Sequence, residues 1–130
     1  MDRKLFLLFN HNITNSQEAD ARSSLKISQI VEPSEEIKNL WKRVPPDLPA
    51  INGYLGPLKS WLSEQAAEGD FLLVQGDFGA TYLMVSFAFE KGLVPIYSTT
   101  ERAVKEQLSD NGAVELSHTF RHRRFRLYGR

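Results

Sequence analysis

Two short, almost wholly apolar runs constrain this fold more than any other feature of the chain. They occupy residues 4–9 and 70–75, and neither alternates polar with apolar residues. Such a run is typical of a central strand that is covered on both faces. Each run is followed by a turn and then by residues with helical spacing. The sequence therefore predicts two buried strands that each lead into a helix.

The rest of the chain continues this alternation. Two further strands are predicted, over Ile27–Val31 and Leu93–Tyr97. Five helices are predicted, over residues 14–26, 34–44 and 57–67, Ala80–Lys91 and Glu101–Leu108, the last capped by Thr99 or Thr100.

The apolar residues of the C-terminal segment change phase between Phe120 and Phe125. That change requires a turn or a bulge near Arg121–Arg124, and two final strands forming a hairpin would provide it. The fold class predicted from these elements is α/β, a Rossmann-like, mainly parallel sheet flanked by helices with a C-terminal antiparallel hairpin.

Composition limits the number of domains, the cellular compartment and the classes of partner that the chain can have. At 130 residues, 42% of them hydrophobic, the chain suits one core, so we predict a single domain over residues 1–130. Cysteine is absent, which excludes disulfides and thiolate zinc sites and fits the cytoplasm. The apolar run at residues 5–9 is too short to span a bilayer, so no membrane partner is expected. The formal net charge is zero, and no stable nucleic-acid polymer partner is expected.

The predicted helix Ala80–Lys91 is apolar almost all round. Such a helix must be buried on more than one side. The sheet covers one side, and a second copy of the chain is a natural candidate for another. The sequence therefore predicts a homodimer.

The loop before this helix is the most suggestive segment for binding. Gly76 and Gly79 would let the backbone approach a ligand, and the free N–H groups of a helix start favour an anion such as phosphate by about 0.3 to 1 kcal/mol. Thr81 could add a hydroxyl donor. The alternative is a tight turn in which Asp77 caps the helix. Spacing alone leaves both readings open.

His11 follows the first buried strand, close to where the Gly76 loop emerges if the two apolar strands are neighbours. An imidazole titrates near neutral pH, so His11 could polarise a ribose hydroxyl or protonate a leaving oxygen. Asn10 could orient a base or a phosphate. The alternative is a surface histidine that hydrogen-bonds its own turn.

The last ten residues concentrate positive charge. His118 and His122 are predicted on strands, where four residues span about 13 Å. Without a sharp fold between them they cannot share a metal, and no metal site is expected. The arginines either protect a sheet edge from aggregation or clamp phosphate. His122 and Arg124 are the members we assign to such a clamp.

Four segments together resemble a known family. They are Phe9–His11, Gln75–Tyr82, Val94–Thr100 and Phe120–Arg126. In order and in content they resemble the small CRISPR-associated accessory proteins of type III systems, which are compact relatives of the CRISPR-associated Rossmann-fold (CARF) domains. The resemblance covers nearly the whole chain, and Gly76–Tyr82 is its most specific part.

The resemblance implies a homodimer that binds a cyclic oligoadenylate, most simply cyclic tetra-adenylate, and cleaves it as a ring nuclease without metal or other cofactor. His11 would be the general acid or base, with His122 and Arg124 stabilising charge. The expected ligand-binding residues are Asn10, Gln75, Gly76, Asp77, Phe78, Gly79, Ala80, Thr81 and Thr99. Phosphate would be held by the backbone amides of Gly76, Gly79 and Ala80 together with Thr81. Asp77 would contact ribose or adenine.

Two other functions compete with this one. The chain could sense or sequester the cyclic nucleotide without cleaving it. It could also be an RNA-binding accessory subunit that uses the C-terminal arginines, and RNA binding would then weaken steeply with salt.

Overall fold

The computed structural model describes residues 2–108 and 112–129 as one α/β unit. Its elements in chain order are β1 Arg3–Phe9, α1 Asn15–Ser24, β2 Ile27–Val31, α2 Glu35–Lys42, α3 Gly56–Gln65, β3 Phe71–Gln75, α4 Phe78–Glu90, β4 Val94–Leu108 and β5 Val114–Leu127. The strands form one sheet in the order β2-β1-β3-β4-β5, parallel except for the antiparallel pair β4–β5. The predicted α/β class, mainly parallel sheet and antiparallel C-terminal pair are confirmed.

The two apolar runs lie side by side at the centre of the sheet. β1 pairs with β3 in parallel register from Leu5↔Phe71 to Phe9↔Gln75. Both strands are covered on both faces, as their unbroken apolar sequence predicts. The carboxyl ends of β1 and β3 therefore emerge next to each other.

The sheet carries a core on each face. One face packs Phe6, Leu8, Leu72 and Val74 against α2, α3 and α4, and the other packs alternate residues of the same strands against α1. This division follows from the two-residue period of a strand. Trp41 and Trp61 are 2% and 9% exposed, so both belong to the core.

The helix starts follow local capping chemistry. The Thr14 hydroxyl accepts a hydrogen bond from the Gln17 amide while the Gln17 side chain accepts one from the Thr14 amide, which makes a capping box at α1. Ser34 caps α2 in the simpler way, through its hydroxyl. The predicted positions of α1, α2 and α3 are confirmed to within a few residues.

The predicted helix Glu101–Leu108 is wrong. These residues continue β4, which runs without a break from Val94 to Leu108 and pairs along its length with β5. Thr99 and Thr100 consequently cap nothing. Helix-forming residues dominate the segment, but pairing with a neighbouring strand outweighs a propensity worth only tenths of a kcal/mol per residue.

The phase change in the C-terminal segment is produced by a bulge. Thr99 pairs with Arg124 but Thr100 pairs with His122, so Arg123 is an extra residue on β5. β5 is therefore one bulged strand, and the two final strands suggested by sequence are not formed within it. The hairpin is made by β4 with β5.

Most of this hairpin extends past the parallel sheet. β4 pairs with β3 only over Val94–Ile96. Beyond that point β4 and β5 continue as a two-stranded ribbon, here called the hairpin arm, of residues 97–108 and 114–126. The arm leaves the sheet at its carboxyl edge, where β1 and β3 end.

α4 leaves one face open in the single chain. Ala80, Met84 and Ala88 are fully buried against the sheet, whereas Phe78 is 96% and Tyr82 70% exposed. The expectation that this helix is buried on more than one side is not met within a single chain. In the described part of the chain, no helix has the length and apolar character needed to cross a membrane.

Candidate functional site

Two cavities open side by side at the carboxyl edge of the sheet. The β1–β3 notch, of about 210 Å³, is lined by Phe9, Asn10, His11, Gln75 and Gly76. The α4 notch, of about 280 Å³, is lined by Gln75, Gly76, Phe78, Thr81, Tyr97 and Tyr128. Gln75 and Gly76 line both, so the two notches share a wall. Parallel α/β sheets bind their ligands at this edge.

Gly76 is required by packing inside the chain. A Cβ at this position would lie 2.8 Å from the Trp41 ring. The Trp41 indole N–H also donates a hydrogen bond of 3.0 Å to the Gln75 carbonyl. Gly79 differs, because a Cβ there would make only ordinary contacts, the closest at 3.5 Å.

The start of α4 is capped by its own aspartate. The Asp77 carboxylate accepts a hydrogen bond of 3.0 Å from the Ala80 amide, and the Thr81 amide donates to the Asp77 carbonyl. The capping alternative weighed from sequence is therefore the observed one, and the Ala80 amide is not available to a ligand. The first amides of a helix have no partner within it, which leaves those of Phe78 and Gly79.

Two buried polar atoms beside the notches lack hydrogen-bond partners among the described residues. They are Oδ1 of Asn10 and Oγ1 of Thr81. Asn10 lines the β1–β3 notch and Thr81 lines the α4 notch. An unpaired buried polar atom costs on the order of 1–3 kcal/mol, so each atom marks a place where a ligand group would be stabilising.

The Gln75 side chain is held in a fixed orientation. Its Oε1 accepts a hydrogen bond of 2.8 Å from the Ser98 amide. Because a backbone N–H can only donate, the atom that faces it must be the oxygen. The two N–H groups of Gln75 Nε2 consequently point away from Ser98, with no partner among the described residues.

Basic and aromatic side chains that the sequence analysis did not select complete the edge. Arg126 donates a hydrogen bond of 2.8 Å to the Tyr97 hydroxyl, and its guanidinium carbon Cζ lies 5.5 Å from the Tyr97 ring centroid. Lys42, in the last turn of α2, lines a smaller cavity together with Asn10 and His11. The only sequence signal for these residues is their place near a strand or helix end at this edge.

Tyr128 forms the floor of the α4 notch. Its hydroxyl donates a hydrogen bond of 2.5 Å to the Val74 carbonyl, and its ring lies 4.8 Å from that of Tyr97. Burial, with a smaller contribution from Tyr97, raises the pKa of Tyr128 above its ordinary value. Tyr128 therefore remains a protonated donor at physiological pH.

His11 lies at the mouth of the β1–β3 notch. It is exposed, and its ring meets that of Phe9 edge to face at a centroid distance of 5.5 Å. The structure thus brings His11, Asn10, Gln75 and Gly76 to one cavity, as the neighbouring strands predicted.

His122 lies elsewhere, in a buried network against α1. Its side chain is 5% exposed, with Nε2 2.7 Å from Asp20 Oδ2 and Nδ1 2.5 Å from Ser98 Oγ. Gln17 donates a further hydrogen bond to the Ser98 hydroxyl. In one chain this arrangement ties the base of the hairpin arm to α1 and does not present His122 to either notch.

Asp20 anchors this network. Burial alone would raise the pKa of the Asp20 carboxyl, but hydrogen bonds from Ser24 and His122 and the charges of His122 and Arg124 outweigh it. The pKa of Asp20 is lowered as a result. Although the order Asp20, His122, Ser98 has the chemistry of a hydrolytic triad, Ser98 is only 7% exposed, so it is not presented as a nucleophile.

Arg124 and Thr99 also lie away from the notches. Arg124 lines a cavity of about 420 Å³ with Asp20 and Ser24. The Thr99 hydroxyl is engaged by the Arg124 backbone, donating to its carbonyl at 3.0 Å and accepting from its amide at 3.2 Å. No group of three metal-ligating side chains occurs among the described residues.

Comparison with known proteins identifies relatives over almost the whole chain. The family model of the uncharacterized protein MJ1673 family matches residues 3–126. The uncharacterized protein MJ1673 of Methanocaldococcus jannaschii is 46% identical over 125 residues, which cover 96% of each chain. No solved structure matches. The chain therefore belongs to the MJ1673 family.

Proposed function

We propose that this protein binds a cyclic oligoadenylate, most simply cyclic tetra-adenylate, across a homodimer and cleaves it as a ring nuclease in the cytoplasm. Cleavage would switch off type III CRISPR antiviral signalling. The family resemblance of Gln75–Tyr82 and the three other segments suggests this ligand. The observation that carries the proposal is the pair of notches that meet at Gln75 and Gly76.

The α4 notch suits a phosphate group. The unpaired amides of Phe78 and Gly79 point outward at a helix start, where the helix dipole favours an anion. Asp77 weakens this attraction, because its carboxylate already occupies the Ala80 amide. Arg126, held beside the notch by Tyr97, adds a positive charge that compensates. Thr81 supplies a hydroxyl that lacks a partner in the described part of the chain.

The β1–β3 notch suits the nucleoside. Phe9 and His11 form an aromatic wall, and Asn10 and Gln75 contribute polar groups. Nucleobases bind by stacking on such rings and by hydrogen bonds to their edges. Because the notches share a wall, one nucleotide can place its base in one and its phosphate in the other.

The second copy of the chain is assigned to the open face of α4. Phe78 lines the α4 notch and continues into this face with Tyr82. The formal net charge of zero leaves self-association unopposed by long-range repulsion. Two copies joined there would bring two α4 helix starts to one ring of phosphates.

The reaction proposed is an internal transfer within the ring. A ribose 2′-oxygen forms a bond to the adjacent phosphorus, and the bond from phosphorus to the 5′-oxygen breaks. The 2′-hydroxyl loses its proton, the 5′-oxygen gains one, and the product is a linear chain with a 2′,3′-cyclic phosphate. His11 is placed to move a proton, a contribution of about 10² to 10⁴ fold.

Incubation with cyclic tetra-adenylate in EDTA, followed by chromatography, tests the proposal. The expected products are linear adenylates with 2′,3′-cyclic phosphate ends, and His11→Ala should slow their single-turnover formation by about 10² to 10⁴ fold. His118→Ala removes a histidine that is not assigned to the proposed site and is the matched control. Unchanged cleavage by His11→Ala would remove His11 from the reaction.

Binding without cleavage is the second candidate, and the place of His122 favours it. One of the three predicted catalytic side chains is buried against α1, which leaves His11 as the only histidine at the notches among those the structure describes. In this case cyclic tetra-adenylate binds and is recovered intact.

An RNA-binding subunit is the remaining alternative. It would be favoured if the protein bound RNA, if cyclic tetra-adenylate did not compete, and if replacing Arg121, Arg123, Arg124 and Arg126 abolished the binding.

A further inference from the structure

Gln75 and Asn10 carry opposite hydrogen-bonding groups beside one cavity. Because the Ser98 amide fixes the Gln75 oxygen, Gln75 offers two N–H donors that have no partner among the described residues. Asn10 offers an acceptor, Oδ1, that has no partner among the described residues. Both residues line the β1–β3 notch, and they stand at the ends of adjacent strands, where Phe9 pairs with Gln75.

A donor beside an acceptor complements the Watson–Crick edge of adenine. That edge carries an acceptor at ring nitrogen N1 and a donor at the N6 amino group. Hypoxanthine, the base of inosine, carries the reverse, an N–H at N1 and an oxygen in place of the amino group. Proteins that bind unpaired nucleotides read such edges through side-chain amides.

We infer that Gln75 and Asn10 are the residues that select adenine, with Gln75 Nε2 donating to N1 and Asn10 Oδ1 accepting from N6. This assignment rests on the proposed function and deepens it. Asp77 was suggested from sequence for an adenine or ribose contact. Its carboxylate already accepts a hydrogen bond from the Ala80 amide. The pairing requires the Asn10 amide to rotate toward the notch on binding, because its Oδ1 is covered in the free chain.

The orientation of Gln75 is well determined by its surroundings. Ser98, whose amide holds Gln75, is itself held through its hydroxyl by His122 and Gln17. A side chain fixed in this way selects strongly, because rotating to offer its oxygen to a ligand would break the bond to Ser98.

Gln75→Glu is the informative substitution. A carboxylate can still accept the hydrogen bond from the Ser98 amide, so the side chain keeps its position. The group facing the notch changes from a donor to an acceptor, which suits hypoxanthine N1–H and repels adenine N1. The new charge weakens binding of any anionic ligand, and the preference between the two bases is therefore the quantity to measure.

The experiment measures dissociation constants of full-length protein for cyclic tetra-adenylate and for its inosine counterpart by calorimetry. Wild-type protein should prefer adenine by about 5- to 150-fold, the range for a well-formed bidentate contact to a base. Gln75→Glu should abolish or reverse that preference. Gln65→Glu, an exposed glutamine at the end of α3, carries the same charge change and should keep the wild-type preference.

The outcomes separate this inference from the proposed function. Equal binding of both rings by wild-type protein overturns the adenine-selecting role and leaves a cyclic-nucleotide site standing. If folded Gln75→Glu protein keeps the wild-type preference for the adenine ring over the inosine ring, Gln75 is not the residue that selects the base. Failure of wild-type protein to bind either ring overturns both.

Discussion

The indole of Trp41 occupies the space that a side chain at Gly76 would need. A Cβ at Gly76 would lie 2.8 Å from two atoms of the ring, and the ring is fixed by its hydrogen bond to the Gln75 carbonyl. The wall shared by the two notches is therefore set by a core residue of α2. Gly76 and Gly79 differ in this respect, since a Cβ at Gly79 meets nothing closer than 3.5 Å.

Gly76→Ala should destabilise the protein by about 1–3 kcal/mol, because overpacking a well-packed core displaces its neighbours. Gly79→Ala should lose no stability, since alanine suits a helix better than glycine. Urea denaturation of both variants against wild type measures the difference. Equal stability of Gly76→Ala and Gly79→Ala would show that the Trp41 contact does not constrain the loop.

Stability should depend on the ionisation of Asp20. Its pKa is lowered in the folded chain from an unfolded value of about 3.9, so the folded state favours the carboxylate. The resulting stabilisation is fully present above the unfolded pKa and is lost as pH falls through the lower folded pKa. The stability deficit of Asp20→Asn should therefore be constant at neutral pH and shrink below about pH 4.

Urea denaturation of wild type and Asp20→Asn at several pH values checks this expectation. Asp47→Asn removes an exposed carboxylate from the segment between α2 and α3 and serves as the control. A deficit for Asp20→Asn that stays the same down to pH 2.5 would show that the ionised form of Asp20 is not what stabilises the network.

Tyr128→Phe should cost about 0.5–1.5 kcal/mol. The substitution removes the hydrogen bond to the Val74 carbonyl and leaves the ring contact with Tyr97 in place. Tyr82→Phe removes a hydroxyl from the exposed side of α4 and should leave stability unchanged. Thermal unfolding of both variants makes the comparison, and equal behaviour would refute a structural role for the Tyr128 hydroxyl.

The outer part of the hairpin arm should open more readily than the sheet. Its base is tied to α1 by His122 and Asp20, whereas the backbone of residues 101–108 pairs with that of residues 114–121 in a ribbon that extends past the parallel strands. A two-stranded ribbon alone is marginally stable in water. Amide hydrogen exchange in dilute protein should therefore be much faster there than in β1 and β3. Equal protection would indicate that another surface covers the arm.

Local and periodic signals in the sequence account for most of the fold. The unbroken apolar runs predicted β1 and β3, and helix-forming residues after the first two strands predicted α1 over residues 14–26 and α2 over residues 34–44. The segment Glu101–Leu108 could not be assigned in this way, because its strand state depends on residues 114–121 and its own composition favours a helix.

The candidate site was predictable to the extent that it depends on strand ends. Adjacent apolar strands predicted that His11 and Gly76 would meet, and they line one cavity. The burial of His122 was not predictable, because its partner Asp20 lies 102 residues away in sequence and on a different element. Arg126 and Lys42 reach the edge through tertiary packing that has no local signal.

The central claim is that the notches on either side of Gln75 and Gly76 hold a phosphate-bearing nucleotide. The most direct test is a titration of isotope-labelled protein with cyclic tetra-adenylate, followed by NMR. We expect the largest shifts at the backbone amides of Gly76, Phe78 and Gly79 and at the Gln75 side-chain amide. Shifts confined to the hairpin arm, or no shifts at millimolar ligand, would contradict it.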